Sequence, residues 1–239
     1  MSEQSAESNG ENSVKRLRNH RSPFIEWIRE TSIVLVMAML LSVGLRTFVF
    51  QAFYVPSVSM QDTLMRNDRI IASKITKHLT TINRGDIIVF ADPSDWLPDI
   101  SPESGWRGKL IEILTWVGVL PSNSGQDLVK RVIAVGGDHV ACCDAQGGIT
   151  VNGYSLDESS YAIGRSDIVK FDVVVPADHY FVMGDNREFS SDSRYHLDED
   201  FGTIADGQVV GQVTALIWPF NRFGTMKNPL ADQPIPAAK

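Results

Sequence analysis

The strongest constraint on this chain is a run of fifteen uncharged residues, Thr31 to Leu45, set between Glu30 and Arg46. Thr47 to Val55 is again mostly apolar. A membrane-spanning helix needs about 20 apolar residues. Ile28 to Val49 reaches that length if Arg46 lifts its guanidinium to the interface. A secretory signal peptide fits less well, because no small-x-small cleavage site closes the run and about 30 mostly polar residues precede it. A buried helix of a soluble core is the plainer alternative. The expected organisation is a single transmembrane anchor over residues 28–49, after a disordered tail over 1–27.

The flanks suggest an orientation. The 239 residues carry a net charge of −7. The first 46 hold Lys15, Arg16, Arg18, Arg21, Arg29 and Arg46 against five glutamates, a net +1, so the remainder carries −8. Basic flanks stay inside. The tail is therefore expected in the cytoplasm and everything after the anchor outside the cell membrane. An outer part this acidic excludes a general nucleic-acid binder, which needs a basic face. Two cysteines exclude a disulfide scaffold and a four-thiolate zinc site. Cys142 and Cys143 are adjacent, and a bridge between neighbours needs a strained ring, so they are expected to be small core or strand residues rather than a redox pair.

Residues 50–227 read mostly as strands. Arg69–Ala72 and Asp86–Phe90 are short apolar runs bounded by turn residues. Leu128–Val135 is rich in β-branched residues and ends at Gly136-Gly137-Asp138. Ile149–Val151 meets Asn152-Gly153, a hairpin signal. Phe171–Val175, Tyr180–Met183 and Gln208–Trp218 complete the set. The expected fold class is mainly β, an antiparallel sandwich or barrel-like domain. An insertion over about 92–126 holds Trp96, Trp106 and Trp116, and a short amphipathic helix over Trp106–Val119. That helix is expected on the surface of the sheet, with a membrane-surface contact as the sharper alternative. Residues 228–239 are expected to be a loose tail.

Several chemistries lack their motifs. His-Glu-x-x-His, Gly-x-Ser-x-Gly and a phosphate-cradling glycine loop are all absent, and the five histidines are scattered. Neither a metal nor a cofactor is implied. Three segments stand out: Tyr54-Val-Pro-Ser-Val-Ser-Met60, Asp127-Leu-Val-Lys-Arg-Val132 and Met183-Gly-Asp-Asn-Arg-Glu-Phe-Ser-Ser-Asp-Ser-Arg194. Singly each reads as a loop, a solvated strand face or a turn. Together with Arg84-Gly-Asp-Ile-Ile-Val-Phe90 and the anchor, in this order, they resemble the type I signal peptidases, membrane-bound Ser-Lys endopeptidases. The resemblance runs from the anchor to about Trp218-Pro219-Phe220.

The resemblance implies Ser59 as nucleophile and Lys130 as general base. It implies that Ser57 helps the Ser59 N–H hold the oxyanion, and that Ser190 orients the lysine. Asp192, Arg194 and Arg131 match the supporting charges, and Asp185, with Gly184, looks structural. It further implies that the substrate lies as an added strand between Phe53–Pro56 and Asp127–Val129, so Phe53, Val55, Pro56, Met60, Asp127 and Val129 are substrate-binding candidates. The implied partners are signal peptides of exported preproteins, with small residues one and three positions before the cut, the lipid bilayer and the protein-export channel.

Elementary chemistry is compatible with these roles. A serine hydroxyl needs an adjacent base. A lysine at its ordinary pKa of about 10.4 is protonated at neutral pH, and an apolar site lowers that value. Val129 and Val132 flank Lys130. Alternation sends Arg131 to the opposite face, where it is expected to pair with Asp192. Ser59 lies about a dozen residues past the anchor, or at most roughly 40 Å of chain, which keeps it near the outer leaflet.

Two positions depart from the family pattern. Met60-Gln-Asp-Thr-Leu64 lacks the usual proline, and Phe189 stands where asparagine is usual. Self-cleaving repressors share Ser-Lys chemistry, but the anchor and the acidic outer domain oppose that reading. The alternative retained is a catalytically inactive, membrane-tethered binding protein of the same fold.

Overall fold

The computed structural model describes residues 23–48, 50–74, 81–93, 96, 106, 109 and 127–238. The chain divides into two compact units, Met1–Leu40 and Leu41–Lys239. Helix α1, Pro23–Phe48, takes up the apolar run. Phe24, Trp27, Ile33, Leu35, Met37 and Leu40 are all exposed. The helix is thus apolar around its circumference rather than along one stripe. Among the described residues no helix is long and apolar enough to cross a membrane. Glu30 and Arg46 confine the uncharged stretch to fifteen residues, fewer than the roughly 20 a span requires.

Among the described residues twelve strands follow. β1 (Phe50–Tyr54), β2 (Arg69–Ser73), β3 (Ile87–Ala91), β4 (Asp127–Val135), β9 (His179–Met183), β10 (Ile204–Ala205), β11 (Val209–Trp218) and β12 (Gly224–Thr225) form one antiparallel sheet. Its order is β1-β2-β11-β3-β4-β9-β10, with β12 also on β11. β5 (His139–Cys142), β6 (Ile149–Val151), β7 (Tyr154–Ser155) and β8 (Phe171–Val174) form a second sheet in the order β7-β6-β5-β8. The mainly β, antiparallel expectation is met.

Patterning explains the layering. β8 alternates buried and exposed residues and covers the core with one face. β3 is buried at Ile87, Ile88, Val89 and Phe90 in succession, because both of its faces are covered. On one face Ile87 and Val89 pack with Phe53, Val55, Met60, Leu64, Ile70 and Val213. On the other, Ile88 and Phe90 pack with Leu128, Val132, Val182 and Trp96. A third cluster, including Ile133, Val140, Phe171 and Phe181, fills the space around the second sheet. At the β6–β7 turn Asn152 and Gly153 both take positive φ, 53° and 80°, the conformation that the Asn-Gly pair signals.

Cys142 and Cys143 are joined as a disulfide, contrary to the reading that set a bridge aside on ring strain. The segment after Asn228 has no regular structure but is docked. Asn228 Nδ2 donates to Arg84 O and Asp86 Oδ1, Leu230 is buried, and Gln233 hydrogen-bonds with Asp157. Apolar residues spaced between polar ones fasten it without any periodicity that marks an element. Of the insertion, Trp96 is buried and Trp106 exposed; the helix expected over Trp106–Val119 falls almost wholly outside the described residues.

Asp138, in the turn between β4 and β5, ties the sheets together. It pairs with Arg84 and accepts Val135 N–H at 2.9 Å and Asn152 Nδ2 at 2.9 Å. Burial alone would push its carboxyl up, but the Arg84, Val135 and Asn152 donors hold it below the usual carboxylate range. Asp138→Ala strands a guanidinium and a backbone donor and should cost about 3 kcal/mol, read as a lower denaturation midpoint. With a folded pKa below the unfolded value of about 3.9, this stabilisation is complete above that value and is lost as pH falls through the depressed one. Asp138→Asn should flatten that acid dependence.

Candidate active site

Ser59 sits in the loop between β1 and β2. Val55 and Asp68 close the base of the loop, with Val55 N–H donating to Asp68 O and Asn67 N–H to Val55 O, both at 2.9 Å. Inside it, Gln61 N–H donates to Val58 O and Leu64 N–H to Met60 O. Met60 and Leu64 are driven into the core and hold the turn down. Asp68 accepts Met65 N–H at 2.7 Å and Arg222 Nη1 at 2.6 Å, while Arg222 Nη2 donates to Thr63 O. The turn presents Ser59 at 7% exposure, its Oγ 3.1 Å from the hydroxyl of the exposed Ser57. Asp62, in place of the usual proline, has φ +85°, a value a proline ring forbids. The departure in sequence is therefore also a departure in backbone.

Lys130 is at the middle of β4, paired with Ile88 across the ladder. It is 3% exposed, on the strand face of Leu128 and Val132. Its ammonium loses most of its water there. Burial lowers its pKa to about 8, with Asp192 and Asp185 drawing it up and Arg194 pushing it down.

The third segment leaves β9 at Met183 and folds back over both. Gly184 N–H donates to Asp192 Oδ2 at 2.9 Å. A Cβ on Gly184 would stand 2.5 Å from Ser59 O and closer still to Ser190 Oγ, so glycine is what lets the Ser59 loop and Ser190 meet. Asn186 N–H donates to Ser59 O at 3.0 Å. Ser190 Oγ is buried, with no hydrogen-bond partner among the described residues. Among the described residues no hydrogen bond joins Ser59 to Lys130; the bond made by Ser59 Oγ is to Ser57.

The charges pair differently from the sequence expectation. Arg131 does not reach Asp192. It grips Asp185 with both arms, Nε to Oδ1 at 2.8 Å and Nη2 to Oδ2 at 2.7 Å, donates to Gly85 O and lies 4.6 Å from the Tyr161 ring centre. Asp192 is taken by Arg194, at 2.8 and 2.9 Å, in the short helical turn that it caps. The register explains the exchange: Arg131 stands opposite Met183, two residues before Asp185. Burial would raise the Asp192 carboxyl, but Arg194, Lys130 and the Gly184 N–H hold it below the usual range.

The proposed substrate contacts fall into two groups. Phe53, Val55 and Met60 are core side chains, while Pro56 is exposed and Asp127 and Val129 are half-buried. β1 ends the sheet. β9 ladders β4 only from Arg131 to Val135, so among the described strands Leu128–Lys130 are laddered by β3 alone. Both segments therefore offer main-chain edges more than side-chain pockets. A cleft of about 540 Å³ lies elsewhere, lined by Asn83, Arg84, Val135 and the docked C-terminal segment. Phe189 is 68% exposed, so the position usually held by asparagine makes an apolar surface here.

Several participants were not singled out from the sequence. Thr63 Oγ1 donates to Asp185 Oδ2 at 2.6 Å. Arg187 donates to Gly184 O, pairs with Glu158 and binds Ser166. Tyr161 lies between Arg131 and Arg187. Thr63 and Arg187 lie within recognisable segments, but the stretch carrying Glu158 and Tyr161 has no periodicity to announce it.

The chain matches the family model described as signal peptidase, peptidase S26, over residues 25–218. It is 32% identical to Signal peptidase I of Mycobacterium tuberculosis, covering 93% of this chain and 83% of that protein. It is 33% identical to Signal peptidase I of Leptolyngbya laminosa, with 87% and 86% covered. It is 34% identical to Probable signal peptidase I-2 of Synechocystis, with 84% and 77% covered. A crystal structure of a signal peptidase I from Enterococcus faecalis aligns at 26% identity over 56% of this chain and 98% of that one, at a TM-score of only 0.34. With a family match across most of its length and relatives of this identity, the chain belongs to the signal peptidase family S26, a family of serine endopeptidases.

Proposed function

We propose that this chain cleaves N-terminal signal peptides from exported preproteins, with Ser59 as nucleophile and Lys130 as general base. The observation that carries the reading is the burial of Lys130, 3% exposed on β4; burial lowers its pKa to about 8, so it can serve as an uncharged base near neutral pH. About one molecule in ten then holds a neutral amine at pH 7.

In this mechanism Ser59 Oγ attacks the scissile carbonyl carbon as Lys130 Nζ takes its proton. The Ser59 N–H and the Ser57 hydroxyl hold the oxyanion, a contribution of a few kcal/mol. Collapse breaks the peptide bond, the leaving amine takes the proton from Lys130, and an acyl-enzyme remains on Ser59. Lys130 then deprotonates a water, which attacks the ester carbonyl carbon; the bond to Ser59 Oγ breaks, Lys130 returns the proton to that oxygen, and the signal peptide leaves as its carboxylate. Ser190, whose buried hydroxyl makes no hydrogen bond among the described residues, orients the lysine. Asp192 with Arg194, and Arg131 with Asp185, are charge pairs that close their own electrostatics beside it. Ser59 and Lys130 come into hydrogen-bond contact when the substrate is bound, as catalytic contacts often do. The substrate adds as a strand along Phe53–Pro56 and Asp127–Val129, whose main-chain edges favour pairing, and shallow pockets select small side chains one and three positions before the cut.

The same reading makes α1 a single-pass anchor, N-terminus in the cytoplasm, catalytic domain outside, beside lipid and the export channel. Its support is the exposed apolar side chains of α1, Phe24, Trp27, Ile33, Leu35, Met37 and Leu40 among them, and a basic N-terminal flank. Ile28 to Val49 reaches spanning length when Arg29, Glu30 and Arg46 lift their charged head groups to the interface.

Three outcomes test this. Ser59→Ala and Lys130→Ala should each lower cleavage of a preprotein bearing an Ala-x-Ala site by more than about a thousandfold, with circular dichroism unchanged; activity surviving in either defeats the dyad. The kcat/KM profile should rise with pH through an apparent pKa near 8 as the amine deprotonates. Because the folded pKa of Lys130 lies below the unfolded value of about 10.4, this group should make stability rise with pH between those two values. Finally, full-length protein should resist alkaline extraction from membranes, and deletion of residues 1–48 should release it; extraction of the full-length chain would remove the anchor.

A further inference from the structure

One hydroxyl group fastens the turn that carries the nucleophile to the strand that carries the base. Thr63 lies in the turn closed by the Leu64 N–H to Met60 O hydrogen bond. Its Oγ1 donates to Asp185 Oδ2 at 2.6 Å, and that oxygen also accepts Arg131 Nη2 at 2.7 Å. Arg131 Nε holds the other carboxylate oxygen at 2.8 Å. Arg131 adjoins Lys130 on β4. Asp185 lies between Gly184, on which Ser59 O and Ser190 pack, and Asn186, whose N–H donates to Ser59 O. The Asp185 carboxylate is thus a shared pin. Two of its bonds fix β4, one fixes the Ser59 turn, and the carboxylate is fully buried, so water does not replace a partner that is lost.

We infer that Thr63 is a positioning residue, which sets the separation of Ser59 from Lys130 by sharing Asp185 with Arg131. The inference rests on the Ser59–Lys130 reading and adds to it a residue that touches neither substrate nor reacting atoms.

Electrostatics gives the role a signature beyond folding. The groups facing Lys130 are Asp192, Arg194 and Asp185, and the two carboxylates favour its ammonium form. Asp185 is in turn neutralised by Arg131 and by the Thr63 hydroxyl. Thr63→Val keeps the shape of the side chain and deletes both the donor to Asp185 and the acceptor that Arg131 Nη2 reaches at 3.3 Å. It leaves the charge of Asp185 less compensated and Lys130 easier to protonate. The acid limb of the pH profile should therefore move upward, not merely fall in height.

The test uses full-length enzyme in detergent with a preprotein substrate, comparing wild type, Thr63→Val, Thr63→Ser and Ser59→Ala. Thr63→Val should lower kcat roughly tenfold with KM nearly unchanged and shift the acid limb to higher pH. Thr63→Ser, which restores the donor, should recover most of both. Should Thr63→Val fail to fold, Thr63→Ala against Thr63→Ser carries the same comparison. Wild-type kcat and an unshifted limb in Thr63→Val, with Ser59→Ala inactive, overturn the role of Thr63 and leave the dyad standing. So does a Thr63→Ser enzyme no better than Thr63→Val. Cleavage by Ser59→Ala instead defeats the dyad, and the positioning role with it.

Discussion

The desolvation of Lys130 is the constraint on which the rest of the site depends. A lysine with most of its water stripped away can act as a base only if the charges around it do not hold its proton in place. Asp192 and Asp185 are close enough to do so. Each is matched by an arginine that is itself buried, Arg194 and Arg131. Removing either arginine would leave an uncompensated carboxylate beside the amine, which is costly for stability and for function alike. The two ion pairs are therefore best understood as insulation of the lysine's environment.

The sheet supplies the geometry. Antiparallel pairing puts Lys130 beside Ile88 and Arg131 opposite Met183, so consecutive residues of β4 serve opposite faces. One face receives Leu128, Val132 and the lysine; the other receives Arg131 and its partners. The segment after β9 then needs a residue without a side chain at Gly184 to fold over the Ser59 loop. The loop is held by core side chains from beneath, by Asn186 from the side and by Arg222 at its base.

Much of this is legible in the sequence, and the remainder fails for physical reasons. Long β-branched runs such as Leu128–Val135 announce their strands, and Asn152-Gly153 announces its turn, because these signals are local. Two-residue strands such as β7, β10 and β12 carry no periodicity. The positions brought together near Lys130 come from recognisable segments, whereas the choice of ionic partner does not. Arg131 meets Asp185 rather than Asp192 because of ladder register and of the short turn that gives Asp192 to Arg194. The docked C-terminal segment and Tyr161 depend on tertiary contacts alone.

The central claim is that Lys130 is poised near neutrality by burial, and it is open to direct titration. Full-length enzyme carrying Ser59→Ala, labelled with ¹³C at lysine Cε and assigned by loss of one resonance in Lys130→Met, reports that amine alone. One resonance should titrate with a midpoint near 8, well apart from the other lysines. A Lys130 midpoint near the ordinary value of about 10.4 would contradict it.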